Sequence, residues 1–360
     1  MTAKERILAA LHGRPVDCLP FCPFLAYVWE SYSREIRDRG QLAFLQDVGA
    51  DPLWRGAPCP VRFDCPGVET RKEEQGPDLS IETLTPVGTL RMVYRRSDAG
   101  NTGFLIEHPL KTPEDFKVQT WIEEHTRLVD NREAVEQHLA GNGREGLSFG
   151  ILQPRSKTAF QHMVEHAVGT EELVYALVDF PDVVEELHAV MMENDLKAAR
   201  MAAESPYDYF TTWEDSSTQN YSPAQYEKYI APEIKAYCEV VGGHGKHYIQ
   251  HACGHVKALV PVMEQGGVLA VESLSPPPTG NISLEETRAI VGDRMGIIGG
   301  IEPTQLLSLP DDKLDDYVVQ VIEDGAGGPF VAANADSCPP GVTPERFRRI
   351  ADLVHSRAVK

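Results

Sequence analysis

Residues 247–301 read HYIQHACGHVKALVPVMEQGGVLAVESLSPPPTGNISLEETRAIVGDRMGIIGGI, and this stretch carries the fold. Three apolar runs, 247–251, 268–271 and 295–301, are too short for helices and are bounded by turn residues, which marks them as buried strands. Between the second and third, Ser283 and Glu286 form a capping-box pair, and Gly292 ends the helix they open. Strand–helix–strand units of this kind build a parallel sheet. The same rhythm extends outward to apolar runs at 18–25, 50–54, 147–152, 207–213 and 330–335, which makes eight strands. Helix starts separate the later ones: Thr170 with Glu171 and Glu172, Ser222-Pro223, and Thr343-Pro344. Thr2 and Glu5 cap an opening helix that runs to Leu11 and stops at Gly13.

Eight strand–helix repeats are the count that closes a (β/α)8 TIM barrel. A doubly wound open sheet competes, but it usually has fewer strands and often a Gly-rich first turn, and no G-x-G-x-x-G is present. The expectation is one barrel domain over residues 1–360. Residues 62–123 break the rhythm with β alternation at 79–83, 89–94 and 104–107, and with turns at Pro86-Val87-Gly88 and Ala99-Gly100-Asn101. They read as an antiparallel insertion between the second and third barrel strands. Insertions after barrel strands lie at the face that carries active sites, so it is expected to act as a lid or pocket wall.

The charge balance excludes partners. Against 54 Asp+Glu stand 34 Lys+Arg, a net of −20, with no run of five basic residues. Such a chain repels nucleic acid and anionic membranes and suits a polyanionic substrate poorly. No apolar run approaches the roughly 20 residues of a membrane span, and no apolar signal segment opens the chain. Seven thinly spread cysteines argue against a disulfide framework and for a reducing cytoplasm.

The chemistry concentrates at His251-Ala252-Cys253-Gly254, the end of the fifth strand. Alternation puts His251 and Cys253 on one face, with Cα atoms about 7 Å apart. Cys338, directly after the eighth strand, is placed to supply a third ligand. An imidazole with two thiolates is a zinc set, and three protein ligands with an open position suit catalysis. Buried cysteines at strand ends are equally well read as packing, and placement alone leaves both readings standing. Near this point Trp213-Glu214-Asp215 end the fourth strand, and Glu214 or Asp215 offers a general acid or an orienter of His251. Glu272 ends the sixth strand, as a fourth ligand or a proton carrier. Tyr27, Trp29, Trp54 and Trp213 read as an aromatic substrate wall, and Asn334 and Asp336 flank the last strand end. His162 and His166 lack the H-E-x-x-H pattern, and the Cys59/Cys65 pair has no second pair, so neither reads as a metal site.

The 247–254 stretch and Cys338-Pro339-Pro340-Gly341-Val342-Thr343-Pro344-Glu345 resemble the uroporphyrinogen decarboxylase superfamily, most closely its zinc-dependent, corrinoid-linked methyltransferase branch. Similar too are Lys4-Glu5-Arg6-Ile7-Leu8-Ala9-Ala10-Leu11, Pro276-Pro277-Pro278 and Gly299-Gly300-Ile301. The resemblance implies a zinc held by His251, Cys253 and Cys338, and a methyl group passed between a small methylated substrate and a corrinoid on a separate protein. The chain has no D-x-H-x-x-G cobalamin segment of its own. Methyl-ether demethylation is favoured because the insertion resembles that of longer demethylating members. Transfer from methylcorrinoid to a coenzyme M-like thiol is the alternative, and a non-catalytic zinc sensor a further one. A homodimer is also implied. The namesake decarboxylase fits poorly: its R-Q-A-G-R segment after the first strand is replaced by Phe21-Cys22-Pro23-Phe24-Leu25-Ala26-Tyr27-Val28-Trp29, with no arginine.

Overall fold

The structure, a computed structural model, describes residues 1–97 and 103–357. The expected turn at Ala99-Gly100-Asn101 lies outside the described residues. In chain order the strands are β1 (Leu53–Ala57), β2 (Val61–Asp64), β3 (Glu69–Gln75), β4 (Asp78–Thr85), β5 (Gly88–Arg96) and β6 (Gly103–Glu107). β7 (Arg127–Asp130), β8 (Leu147–Ile151), β9 (Tyr209–Thr212), β10 (His247–His251), β11 (Ala270–Leu274), β12 (Gly296–Ile301) and β13 (Phe330–Asn334) follow. Seven of them form one parallel sheet in the order β1-β8-β9-β10-β11-β12-β13. Its strands are buried throughout in β8, β9, β11, β12 and β13, as sheets covered on both faces require.

The segment around Phe21 lies between the two ends of this sheet. Cys22 N–H donates to Ala332 O (2.8 Å), Ala332 N–H to Pro20 O (3.1 Å), and Asp51 N–H to Phe21 O (2.7 Å). The expected first strand over 18–25 is thus reduced to a single bridge, Phe21 to Ala332. Pro20 and Pro23 have no N–H to give to a ladder. The fold is α/β with a curled parallel sheet, TIM-barrel-like. Inside the curl Leu53, Phe149, Tyr209, Ile249, Ile298 and Val331 pack together, joined by Ile7, Ala10 and Leu11 of the Ala3–Leu11 helix. That helix has the Thr2–Glu5 capping box read from sequence.

The strands β3, β4, β5 and β6 form a four-stranded antiparallel sheet in that order, and β2 pairs with β7. Two of its features escape a hydrophobic pattern. β3 is exposed along its whole length, so no face alternates. The helix Pro113–His125 follows, opened by a Thr112–Asp115 capping box, where the sequence reading placed β structure. The long helix expected from Thr170 is two helices, Thr170–Asp179 and Pro181–Ala203, because Pro181 starts a new one.

Candidate metal centre and substrate cleft

His251 is the last residue of β10 and pairs in register with Glu272 of β11. Register partners of a parallel pair face the same side, so the two side chains meet: His251 Nδ1 lies 2.5 Å from Glu272 Oε2, and both residues are nearly sealed from solvent. The neighbouring Ser273 Oγ donates to the same oxygen at 3.0 Å. On the opposite ring edge, His251 Nε2 is 3.4 Å from Asp215 Oδ1, and Cys253 Sγ donates to that oxygen at 3.4 Å. Donor atoms of Asp215, His251 and Cys253 lie within 4.8 Å of one another, an imidazole, a thiol and a carboxylate at strand ends. This set suits a zinc-sized ion: Glu272 occupies Nδ1, which leaves Nε2 toward the other two donors, the arrangement that metal-bound histidines use.

Charged neighbours hold both carboxylates. Arg55 of β1 reaches Glu272 Oε1 through Nε at 2.5 Å. Burial opposes ionisation of Glu272, but Arg55 and His251 hold it down at about 2. Lys157 Nζ donates to Asp215 Oδ2 (2.7 Å) and Trp213 O (2.6 Å), and pairs with Glu165 at 2.7 Å. Asp215 lies well below the ordinary carboxylate range: burial opposes this, and hydrogen bonding with His251 and the charge of Lys157 outweigh it. Burial lifts the Cys253 thiol to about 11 despite the pull of His251.

A cleft of about 540 Å³ opens here. Phe24, Tyr27 and Trp213 provide its aromatic wall, Asp215, Asp336, Lys157 and His251 its charges, and Ser156 and Ser337 its hydroxyls. Trp213 stacks on Phe24 (5.8 Å between centroids, 12°) and presents a T-shaped contact to His251 at 5.0 Å. Three non-glycine residues with positive φ border this region: Ala26 (20°), Ser156 (59°) and Ser273 (64°). Strained backbone of this kind gathers at functional sites.

Several residues singled out from sequence lie elsewhere. Glu214 is fully buried and accepts from the Thr158 backbone N–H, Thr158 Oγ1 (3.0 Å) and Thr212 Oγ1 (3.1 Å), so it fastens a loop and does not face the cleft. Trp29 packs against Tyr32 and Phe44, and Trp54 against His138. Neither borders the cleft, because each points into the helical layer. Asn334 clamps backbone, accepting from Phe24 N–H and donating to Phe24 O, both at 2.8 Å. Cys338 is outside the three-donor group. It lies four residues past β13, its backbone bonded to Phe24 O and Val28 N–H, and its side chain belongs to the hydrophobic core. Asp215 is the third member of the three-donor group. Among the described residues, the insertion contributes none to the cleft lining. Sequence reasoning missed Phe24, Arg55, Ser156, Lys157 and Ser337. A polar loop directly after a barrel strand, Gln153 to Lys157, was the available signal.

Gly56 protects the aromatic wall. At φ +66°, a Cβ there would meet Trp213 Cζ2 at 2.6 Å. Gly56→Ala is expected to cost about 1–3 kcal/mol from overpacking and the unfavourable φ. A thermal melt and tryptophan emission check this, and an unchanged melt with unshifted emission would contradict the contact.

The family model described as uroporphyrinogen decarboxylase (URO-D) matches residues 156–357, over half the chain. The chain belongs to the uroporphyrinogen decarboxylase family. A curated family relative, the uroporphyrinogen decarboxylase of Geobacter sulfurreducens, is 24% identical over 272 residues, 72% of this chain and 74% of its own. The enzyme of the same name from Trichlorobacter lovleyi is 26% identical over 187 residues, 51% of this chain and 52% of its own. Among solved structures, a methyltransferase from Methanosarcina mazei superposes with a TM-score of 0.64 at 15% identity, covering 99% of both chains. That likeness establishes a shared fold. No described helix is long and apolar enough to cross a membrane.

Proposed function

We propose that this family member is a zinc-dependent methyltransferase. It moves a methyl group from a small methylated substrate, a methyl ether by preference, to the cobalt of a corrinoid carried by a separate protein. The observation that carries the reading is the meeting of His251 Nε2, Cys253 Sγ and Asp215 Oδ1 at the strand ends, with Glu272 behind the imidazole. These three residues would hold the ion. Cys338 enters through its position after the last strand and the sequence resemblance, as a further thiolate. Zinc bound there supplies Lewis acidity to the heteroatom that bears the methyl group.

The chain's own groups do the remaining work. Phe24, Tyr27 and Trp213 flank the substrate and exclude water from one side of the cleft. Asp336, with its carboxyl raised by burial, faces the same space and can hand a proton to the departing oxygen. A nitrogen–sulfur–oxygen donor set is harder than one with two thiolates, which favours an oxygen-bearing substrate over a thiol. Decarboxylation of a polycarboxylated tetrapyrrole is disfavoured on charge. The basic lining residue, Lys157, is already paired with Asp215 and Glu165, and Asp336 adds a negative charge. The reading takes the sheet as a closed eight-stave barrel, with Pro20-Phe21-Cys22 as the stave between β13 and β1.

The test is a cobalt(I)-corrinoid methylation assay over a panel of methyl ethers, methylamines and thioethers, with zinc quantified in the same sample. Roughly one zinc per chain and methylation from an ether are expected. Protein with no zinc, or no methylation from any donor, would refute the proposal.

A further inference from the structure

Arg55 joins strands that are not neighbours. It leaves β1 and ends on Glu272 of β11, with β8, β9 and β10 lying between the two strands in the sheet order. Its Nε donates to Glu272 Oε1 at 2.5 Å, Nη2 donates to Cys22 O at 2.9 Å, and Cζ lies 5.2 Å from the centre of the Phe24 ring. The guanidinium and the carboxylate it meets are each 3% exposed. Both oxygens of Glu272 are engaged: Arg55 takes Oε1, and His251 Nδ1 and Ser273 Oγ share Oε2, so Arg55 fixes the edge of the carboxylate turned away from the imidazole.

We propose that Arg55 is the positioning residue of the centre, acting through Glu272 to set the ring of His251 toward Cys253 and Asp215, a role that rests on the metal reading above. Arginine suits the task where lysine does not. Its planar fork serves the Glu272 carboxylate, the Cys22 carbonyl and the Phe24 face at once, whereas an ammonium is a single point of charge. Arg55 also reaches the cleft wall, because Phe24 stacks on Trp213. The same side chain therefore sets both the donor that faces the ion and the aromatic surface that faces the substrate. Partners that orient a ligating histidine from behind are worth about 10–100-fold in metal affinity, and Arg55 stands one bond further back along that chain.

Cobalt(II) affinity, measured by chelator competition on folded protein, tests this. Arg55→Met is expected to weaken cobalt(II) by about 10–100-fold, with partial recovery in Arg55→Lys. If Arg55 works through Glu272, adding Arg55→Met to Glu272→Gln costs little more than Glu272→Gln alone; fully additive losses would overturn the route. Unchanged cobalt(II) affinity in folded Arg55→Met would overturn the role itself. If Arg55→Met does not fold, Arg55→Lys and Arg55→Gln carry the comparison, and affinities equal to the wild type would have the same consequence. Failure of the metal reading is distinguishable, since the unaltered chain would then bind neither zinc nor cobalt(II). Imidazole NMR of the metal-free chain still reads the inference in that case. Loss of the hydrogen-bonded His251 Nδ1–H signal in the Arg55 variants supports it, and an unchanged signal refutes it.

Discussion

Cys253→Ala is expected to take bound zinc from about one ion per chain to near none, and to cut methyl transfer on the order of 10³-fold, the several kcal/mol that a Lewis-acidic ion contributes. The magnitude follows from what is left. Without Sγ, His251 Nε2 and Asp215 Oδ1 remain 3.4 Å apart, a pair of hard and borderline donors with no thiolate. Fold stability should change little by comparison, because the Cys253 thiol bonds to groups of the centre itself, Asp215 at 3.4 Å and the His251 ring. Two companions identify the third donor. Asp215→Asn should lower zinc affinity by more than Cys338→Ala if the donor set of the structure is the working one. The reverse order would make Cys338 the ligand and give Asp215 the part of a place-holder between His251 and Cys253. Zinc quantified by atomic emission, alongside transfer rates, separates these outcomes; retention of both zinc and rate in Cys253→Ala refutes the centre.

How much of this could be read from sequence depends on distance along the chain. The later strands were legible because each is an apolar run closed by turn residues, and β8, β10 and β13 lie within a residue of where the pattern put them. The Phe21 stave was overextended because its apolar content is real but two prolines withhold their N–H groups. β3 was invisible for the opposite reason: Glu69-Thr70-Arg71-Lys72-Glu73-Glu74-Gln75 is wet on both faces, so its pairing with β4 leaves no periodic trace. The Pro113–His125 helix had its signature in print, Thr112-Pro113-Glu114-Asp115, but the surrounding β pattern overrode it. At the site, His251 and Cys253 were legible because two residues of one strand suffice to put them together. Arg55 was not, since its partner lies 217 residues away and no local rule connects them. Cys338 illustrates the limit from the other side. Position after a strand fixes where a backbone emerges, but the packing of residues 24–28 against it decides where the side chain goes.

Arg155→Met is expected to destabilise the fold by about 3–5 kcal/mol, the cost of stranding buried carboxylates without their cation. Arg155 sits just before the Ser156–Lys157 part of the cleft and holds two acids at once: Asp195 at 3.0 Å through Nε, and Glu123 at 2.9 Å through Nη2. It also lies over the Phe63 ring, 5.5 Å from the centre. One side chain thereby ties the insertion helix, the Pro181–Ala203 helix and β2 to the cleft loop. The pH dependence supplies a second reading. Burial first, and the charge of Glu123 with it, push Asp195 up to about 7 against the pull of Arg155. Its unfolded value is near 3.8, so between those limits the folded chain binds the extra proton. The contribution of Asp195 is therefore most favourable below about pH 4 and is lost as pH rises through about 7. Removing Arg155 removes the cation that opposes this rise, so the variant should have a smaller deficit at pH 5 than at pH 8. Urea denaturation of both proteins at the two pH values measures it. A deficit under about 1 kcal/mol at pH 8 would mean the pair is replaceable by solvent or relaxation, and an equal deficit at the two pH values would mean that Asp195 is ionised throughout.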